Sequence, residues 1–72
     1  MHRFFLSSDA FHGEQVRFPR DIARQMRLVL RLRPGDEVLA LDGEGMAFRV
    51  ALTHVEKREA GGRILERMAA AG

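Results

Sequence analysis

Arg20, Arg24, Arg27 and Arg31 follow one another at spacings of four, three and four. If that stretch is helical, a rotation of about 100° per residue brings all four within roughly a 60° arc, with Ile22, Met26, Val29 and Leu30 on the opposite side. Each guanidinium is a planar, permanently charged fork that matches the oxygens of a phosphate or carboxylate. The chemistry on offer is therefore anion binding. Like charges three and four apart oppose helix formation by about 0.2–0.5 kcal/mol per pair, so the stripe works against the helix when no anion is present. Around it, residues 17 to 33 hold six arginines against Asp21 alone, a local balance of 6 − 1 = +5 in a chain whose formal charge is +2. Two readings stay open: a solvated helix face with scattered salt bridges to the seven acids between Asp36 and Glu66, or a contact surface for an anionic partner such as RNA.

Eleven of the 12 basic residues are arginine and only Lys57 is lysine, a choice that suits bidentate phosphate contacts and also follows from a GC-rich genome. Other chemistries find little support. There is no cysteine, which excludes a disulfide scaffold and a thiolate zinc site, and His2, His12 and His54 lack the spacing of a metal site. No nucleophile with its base, no glycine-rich phosphate cradle opening a helix and no carboxylate pair on an apolar face can be read, so no residue is assigned a catalytic role. The five phenylalanines are expected in the core. Phe4 and Phe5 point to opposite faces of a strand, which places one of them near the surface.

These residues must be carried by one small domain, because 72 residues leave no room for a second core. Arg3–Leu6 and Gln15–Phe18 read as short strands. Pro19 fits the start of a helix over about Arg20–Leu30, and Pro34-Gly35-Asp36 stops it and turns the chain. Glu37–Leu41 and Met46–Val55 flank Asp42-Gly43-Glu44-Gly45, a hairpin signal. Ala60-Gly61-Gly62 reads as a second turn and Arg63–Arg67 as a last strand. Five short strands and one helix predict a mainly β, α+β fold: a small, partly closed antiparallel barrel with Phe18, Met26, Val29, Val38, Phe48, Val50, Leu52 and Ile64 among its core. No apolar run approaches the roughly 20 residues that span a bilayer, and no signal-peptide core follows Met1-His2-Arg3. A cytoplasmic protein with no membrane partner is expected.

Met1-His2-Arg3-Phe4-Phe5, the stretch Met26-Arg27-Leu28-Val29-Leu30-Arg31-Leu32 and the following Arg33-Pro34-Gly35-Asp36 with Leu41-Asp42-Gly43-Glu44-Gly45 resemble the N-terminal PUA-like domain of RsmE-type ribosomal RNA methyltransferases. The resemblance covers nearly the whole chain in order. It implies a PUA-like barrel over residues 1–68 that binds small-subunit ribosomal RNA, with residues 69–72 beginning a linker to a C-terminal trefoil-knotted SPOUT domain absent from this chain. That domain would hold S-adenosylmethionine, methylate N3 of a uridine and form the dimer. This stretch would itself need no cofactor and be mostly monomeric. By matching position Arg3, Arg27 and Arg31 carry over as RNA contacts, and the stripe adds Arg20 and Arg24. The family's histidine pair is replaced by Arg24 and Gln25, and Met26 stands for a leucine, so no role resting on that histidine carries over.

Val16-Arg17-Phe18-Pro19-Arg20-Asp21-Ile22-Ala23 followed by Leu32–Val38 is also similar to the swapped-hairpin DNA-binding domains of AbrB and MazE-type regulators. Those begin just before such a strand, which would leave residues 1–13 and the chain after Gly62 without a role.

Overall fold

Two ten-residue antiparallel strands, β5 (Met46–Val55) and β6 (Ala60–Ala69), form the spine of the fold in a computed structural model that describes residues 1–70. Residues 71–72 of the expected linker lie outside the described residues. Ahead of the spine come β1 (Arg3–Phe5), a 3₁₀ turn (Ser8–Ala10), β2 (Phe11–His12), β3 (Gln15–Phe18), helix α1 (Arg20–Arg24) with a π-helical continuation (Gln25–Val29), and β4 (Glu37–Leu41). All six strands join one curled half-barrel sheet in the order β1-β4-β5-β6-β3-β2. The five expected strands are present, and Phe11–His12 adds a sixth against β3. One pairing departs from an all-antiparallel barrel: β1 runs parallel to β4, Arg3 opposite Leu39 and Phe5 opposite Leu41. Parallel neighbours need a long crossover, and here it holds β2, β3 and the helix.

The concave side of the sheet and the helix enclose a core of Phe4, Phe18, Val38, Val50, Leu52 and Ile64, with Ala23 and Met26 contributed by the helix. Phe4 and Phe18 meet edge to face, their centroids 6.0 Å apart. Phe48, Ile22 and Leu30 pack at its margin. Val29, expected inside, is 70% exposed. The cause is a change of helical pitch. Beyond Arg24 the backbone bonds i to i+5, the N–H of Leu30 donating to the carbonyl of Gln25 at 2.9 Å. This wider turn rotates later residues out of the phase that a regular α-helix would give them. Arg31 then adopts a left-handed conformation (φ 54°) and ends the helix. Neither a regular helix to Leu30 nor a regular four-arginine stripe is present.

A second correction concerns the chain's last turn. Ala60, Gly61 and Gly62 belong to β6, and the turn lies earlier, at Glu56–Glu59, where the N–H of Glu56 donates to the carbonyl of Glu59 at 2.7 Å. The glycines serve close approach instead. A Cβ on Gly62 would lie 2.5 Å from both the Ala51 carbonyl oxygen and Val50 Cγ1. Opposite them Thr53 is the extra residue of a β-bulge, since Leu52 pairs with Gly62 and His54 with Gly61.

The swapped-hairpin reading falls with this topology. Residues 3–12 and the last strand are built into a sheet completed within one chain. Among the described residues no helix is long and apolar enough to cross a membrane.

Candidate nucleic-acid interface

The turn after the helix sets the basic residues in place. Arg33-Pro34-Gly35-Asp36 has proline at its second position and glycine at its third with φ 99°, the requirement of a type II turn. The carboxylate of Asp36 accepts from the Arg33 N–H at 2.8 Å, and the Asp36 N–H donates to the Arg33 carbonyl at 3.0 Å. Two more bonds tie the turn to β5: the Gly35 N–H donates to the Leu52 carbonyl at 2.7 Å and the Leu52 N–H to the Asp36 carbonyl at 2.8 Å. Arg31 and Arg33 are thereby anchored beside the strand whose end leads into Lys57.

Arg27, Arg31, Arg33 and Lys57 line one open cleft of about 310 Å³ together with Leu28 and Leu32. Among the described residues no carboxylate lines it. Four like charges held side by side repel one another, and an anion relieves that repulsion while the fixed backbone keeps the charges from dispersing.

The other residues of the sequence-predicted set lie apart from this cleft. Arg20 lines a second cleft, of about 520 Å³, with Phe5, Arg17, Arg58, Asp9 and Glu59. Arg24 ends α1, exposed and in neither cleft. Arg3 lies on edge strand β1, on the same exposed face as Phe5. The expected stripe is therefore divided, with Arg27 and Arg31 in one cleft and Arg20 in the other. The β5–β6 turn borders both, through Lys57 on one side and Arg58 on the other.

Among the described residues, ion pairing engages two of the arginines, Arg49 and Arg17. Arg49, on β5, donates to Glu37 at 2.7 Å and to Glu66 at 3.2 Å. These bonds, that to Glu37 first, push its pKa further up. Arg17 lies 3.6 Å from Glu59. Among the described residues, Arg3, Arg20, Arg24, Arg27, Arg31, Arg33 and Lys57 make no ion pair. Of the basic segment 17–33, Arg17 alone pairs with an acid of residues 36–66 among the described residues, which leaves Arg20, Arg24, Arg27, Arg31 and Arg33 as exposed, unpaired cations.

Sequence reasoning missed Lys57, Arg58 and the cleft role of Arg33. Lys57-Arg58 is a basic pair within a four-residue turn, a signal hidden once the turn is placed at Ala60-Gly61-Gly62.

The chain's relatives bear on this surface. The family model described as the RNA methyltransferase PUA domain matches residues 20–65, more than half of the chain. Among solved structures, a predicted RNA methyltransferase from Thermotoga maritima is 28% identical with a TM-score of 0.84, over 99% of this chain and 32% of that one. A ribosomal RNA small subunit methyltransferase E from Neisseria gonorrhoeae, bound to S-adenosyl methionine, is 37% identical with a TM-score of 0.81, over 94% of this chain and 28% of that one. A methyltransferase from Legionella pneumophila in complex with the same cofactor shares the fold, with 18% identity and a TM-score of 0.81 over 94% of this chain and 28% of that one. A search of the curated proteins finds no match. The chain thus spans about a third or less of the length of the structures it matches. With the matched residues running from the first turn of α1 into β6, and the remaining strands completing the half-barrel of RsmE-type structures, the chain belongs to the RNA methyltransferase PUA domain family.

Proposed function

We propose that this chain is the RNA-binding N-terminal domain of an S-adenosylmethionine-dependent ribosomal RNA methyltransferase. In this reading it holds the phosphate backbone of small-subunit RNA while a separate catalytic domain methylates N3 of a uridine. The observation that carries it is the cleft of Arg27, Arg31, Arg33 and Lys57, four cations without a carboxylate among them. Such a site suits backbone positioning, which is insensitive to sequence. Arg3, Arg20 and Arg24 extend the basic surface for further phosphates.

S-adenosylmethionine itself does not fit this cleft. Its sulfonium and ammonium outnumber its one carboxylate, and four fixed cations repel a net cation. In this reading the cofactor belongs to the longer protein, which is supported by the cofactor-bound relatives that this chain matches over only part of their length.

The test is equilibrium binding of the chain to an RNA duplex over a range of salt. Each phosphate contact contributes about −0.7 to −0.9 to the slope of log K against log salt. Arg27→Ala and Lys57→Ala are each expected to weaken binding and flatten the slope by roughly one contact. The reading is overturned if Glu56→Gln disturbs binding more than loss of Arg27 and Lys57 together.

A further inference from the structure

The second cleft differs from the first in a way that changes what it can hold. Its wall is Phe5, 76% exposed, while its strand neighbour Phe4 is buried. Phe5 is held in place by its strand, for β1 pairs with β4 at Phe5 opposite Leu41, and the next N–H, of Leu6, donates to the Leu41 carbonyl at 2.8 Å. A ring carried on an ordered backbone and left open offers a surface on which a base can stack. Arg17, Arg20 and Arg58 share its cleft with Asp9 and Glu59, a balance of 3 − 2 = +1. Both carboxylates are engaged: Asp9 accepts from the Ser7 hydroxyl, and Glu59 lies 3.6 Å from Arg17 and from His54. Arg20 and Arg58 make no ion pair among the described residues.

We infer that this cleft takes one unpaired RNA nucleotide, its base stacked on Phe5 and its phosphate held by Arg20 and Arg58. The inference rests on the RNA-binding reading above and assigns a separate subsite to it. Charge and shape decide between the two clefts. The first offers four cations and no aromatic ring, which suits a run of phosphates. The second offers a net charge of one with an aromatic wall, which suits a single nucleotide carrying one phosphodiester charge. Its volume of about 520 Å³ lies within the roughly 300–1,000 Å³ of small-ligand sites. A base inside a duplex has both faces covered by its neighbours and cannot reach Phe5, so the nucleotide must be unpaired. Arginine and aromatic surfaces together are the usual means of holding single-stranded RNA without reading its sequence.

The chain contains no tryptophan or tyrosine, so Phe5→Trp introduces a lone fluorophore at the platform. Three probes are titrated: a short single-stranded oligoribonucleotide, the same sugar-phosphate strand lacking bases, and a blunt duplex. Saturable quenching by the single strand alone is expected. Phe5→Ala is expected to weaken single-strand binding by about 5- to 150-fold, the effect of removing one base–aromatic stack. It should leave duplex binding unchanged, and Phe5→Tyr should restore the loss. Silent fluorescence while the duplex still binds through Arg27 and Lys57 overturns the stacking subsite and leaves the backbone reading standing. Failure of every RNA probe to bind overturns both. A change in self-association of Phe5→Ala, without a change in single-strand affinity, identifies Phe5 as a protein contact and also overturns the proposal.

Discussion

Leu32 donates its backbone N–H to the carbonyl oxygen of Met26 at 2.9 Å, closing the end of the helix around Arg31. This closure spans seven residues, one more than the common six-residue helix end in which glycine takes the left-handed position because a side chain there crowds the backbone. Here an arginine occupies it, and the same conformation sends one of the four cations of the basic cleft out of helical phase.

Arg31→Gly is therefore expected to have opposite effects on stability and binding. Relief of the left-handed strain raises unfolding stability by up to about 1 kcal/mol. Loss of the guanidinium weakens RNA binding and flattens its salt slope. Denaturant melts and salt titrations of one variant check both. A destabilised Arg31→Gly would mean that the side chain supports the fold.

The π-helical turn predicts different outcomes for Met26 and Val29. Met26 is fully buried, so Met26→Asp places an unpaired charge in the core and should cost roughly 3 kcal/mol or more. Val29→Asp, on the exposed side, should stay within about 0.5 kcal/mol. If chemical denaturation finds Val29→Asp comparably damaging, the helix continues as a regular α-helix in solution.

Gly62→Ala should destabilise by about 1–3 kcal/mol, since the added Cβ meets the backbone of Ala51 and a core methyl of Val50, neither free to retreat. At Gly61 a Cβ would sit 2.7 Å from His54 Cε1 and 3.0 Å from the Val16 carbonyl oxygen. The half-buried imidazole is able to turn away, so Gly61→Ala should cost less. Thermal melts of the two variants give the order, and its reversal would contradict the register of β6 against β5.

Arg49 offers a paired cation to set against the unpaired ones. Glu37 and Glu66 already pair with its guanidinium, two negative charges against one positive, so it has little to offer a phosphate. At about 0.15 M salt, charges more than roughly 8 Å from the RNA are largely screened. Arg49→Ala should leave the salt slope of RNA binding close to the parent's while Arg27→Ala flattens it. Equal effects from both would indicate a response to overall charge and not to the cleft.

Every strand of the sheet finds its partner within the chain. Sedimentation of the 72-residue chain at micromolar concentration is thus expected to show mostly monomer. An obligate, interleaved dimer would contradict this topology.

Local chemistry in the sequence was enough for β1, β3, β4 and β5, the loop at Asp42–Gly45 and the turn at Arg33–Asp36. Alternation, proline and the side-chain acceptors of Asp36 and Asp42 act over a few residues, and Asp42 Oδ1 does accept from the N–H groups of Glu44 at 2.7 Å and Met46 at 3.1 Å. The basic character of residues 17 to 33 and the burial of Met26 were equally plain, since charge and apolar spacing are properties of the chain itself.

The arrangement of the surface was decided by tertiary structure. Gly61 and Gly62 look like a turn to any local reading, and only the approach of Ala51 and Val16 makes them strand residues. The widening of the helix after Arg24 has no local signature either. It arises where the helix must bury Ala23 and Met26 against the sheet while its end is bonded through Gly35 and Asp36 to Leu52, and it is this constraint that exposes Val29 and turns Arg31 toward Arg33. Lys57 joins Arg27 from 30 positions away and Phe5 meets Arg20 from 15. A helical periodicity places neighbours only along one element, whereas these clefts form between elements, where the curl of the sheet sets the distance.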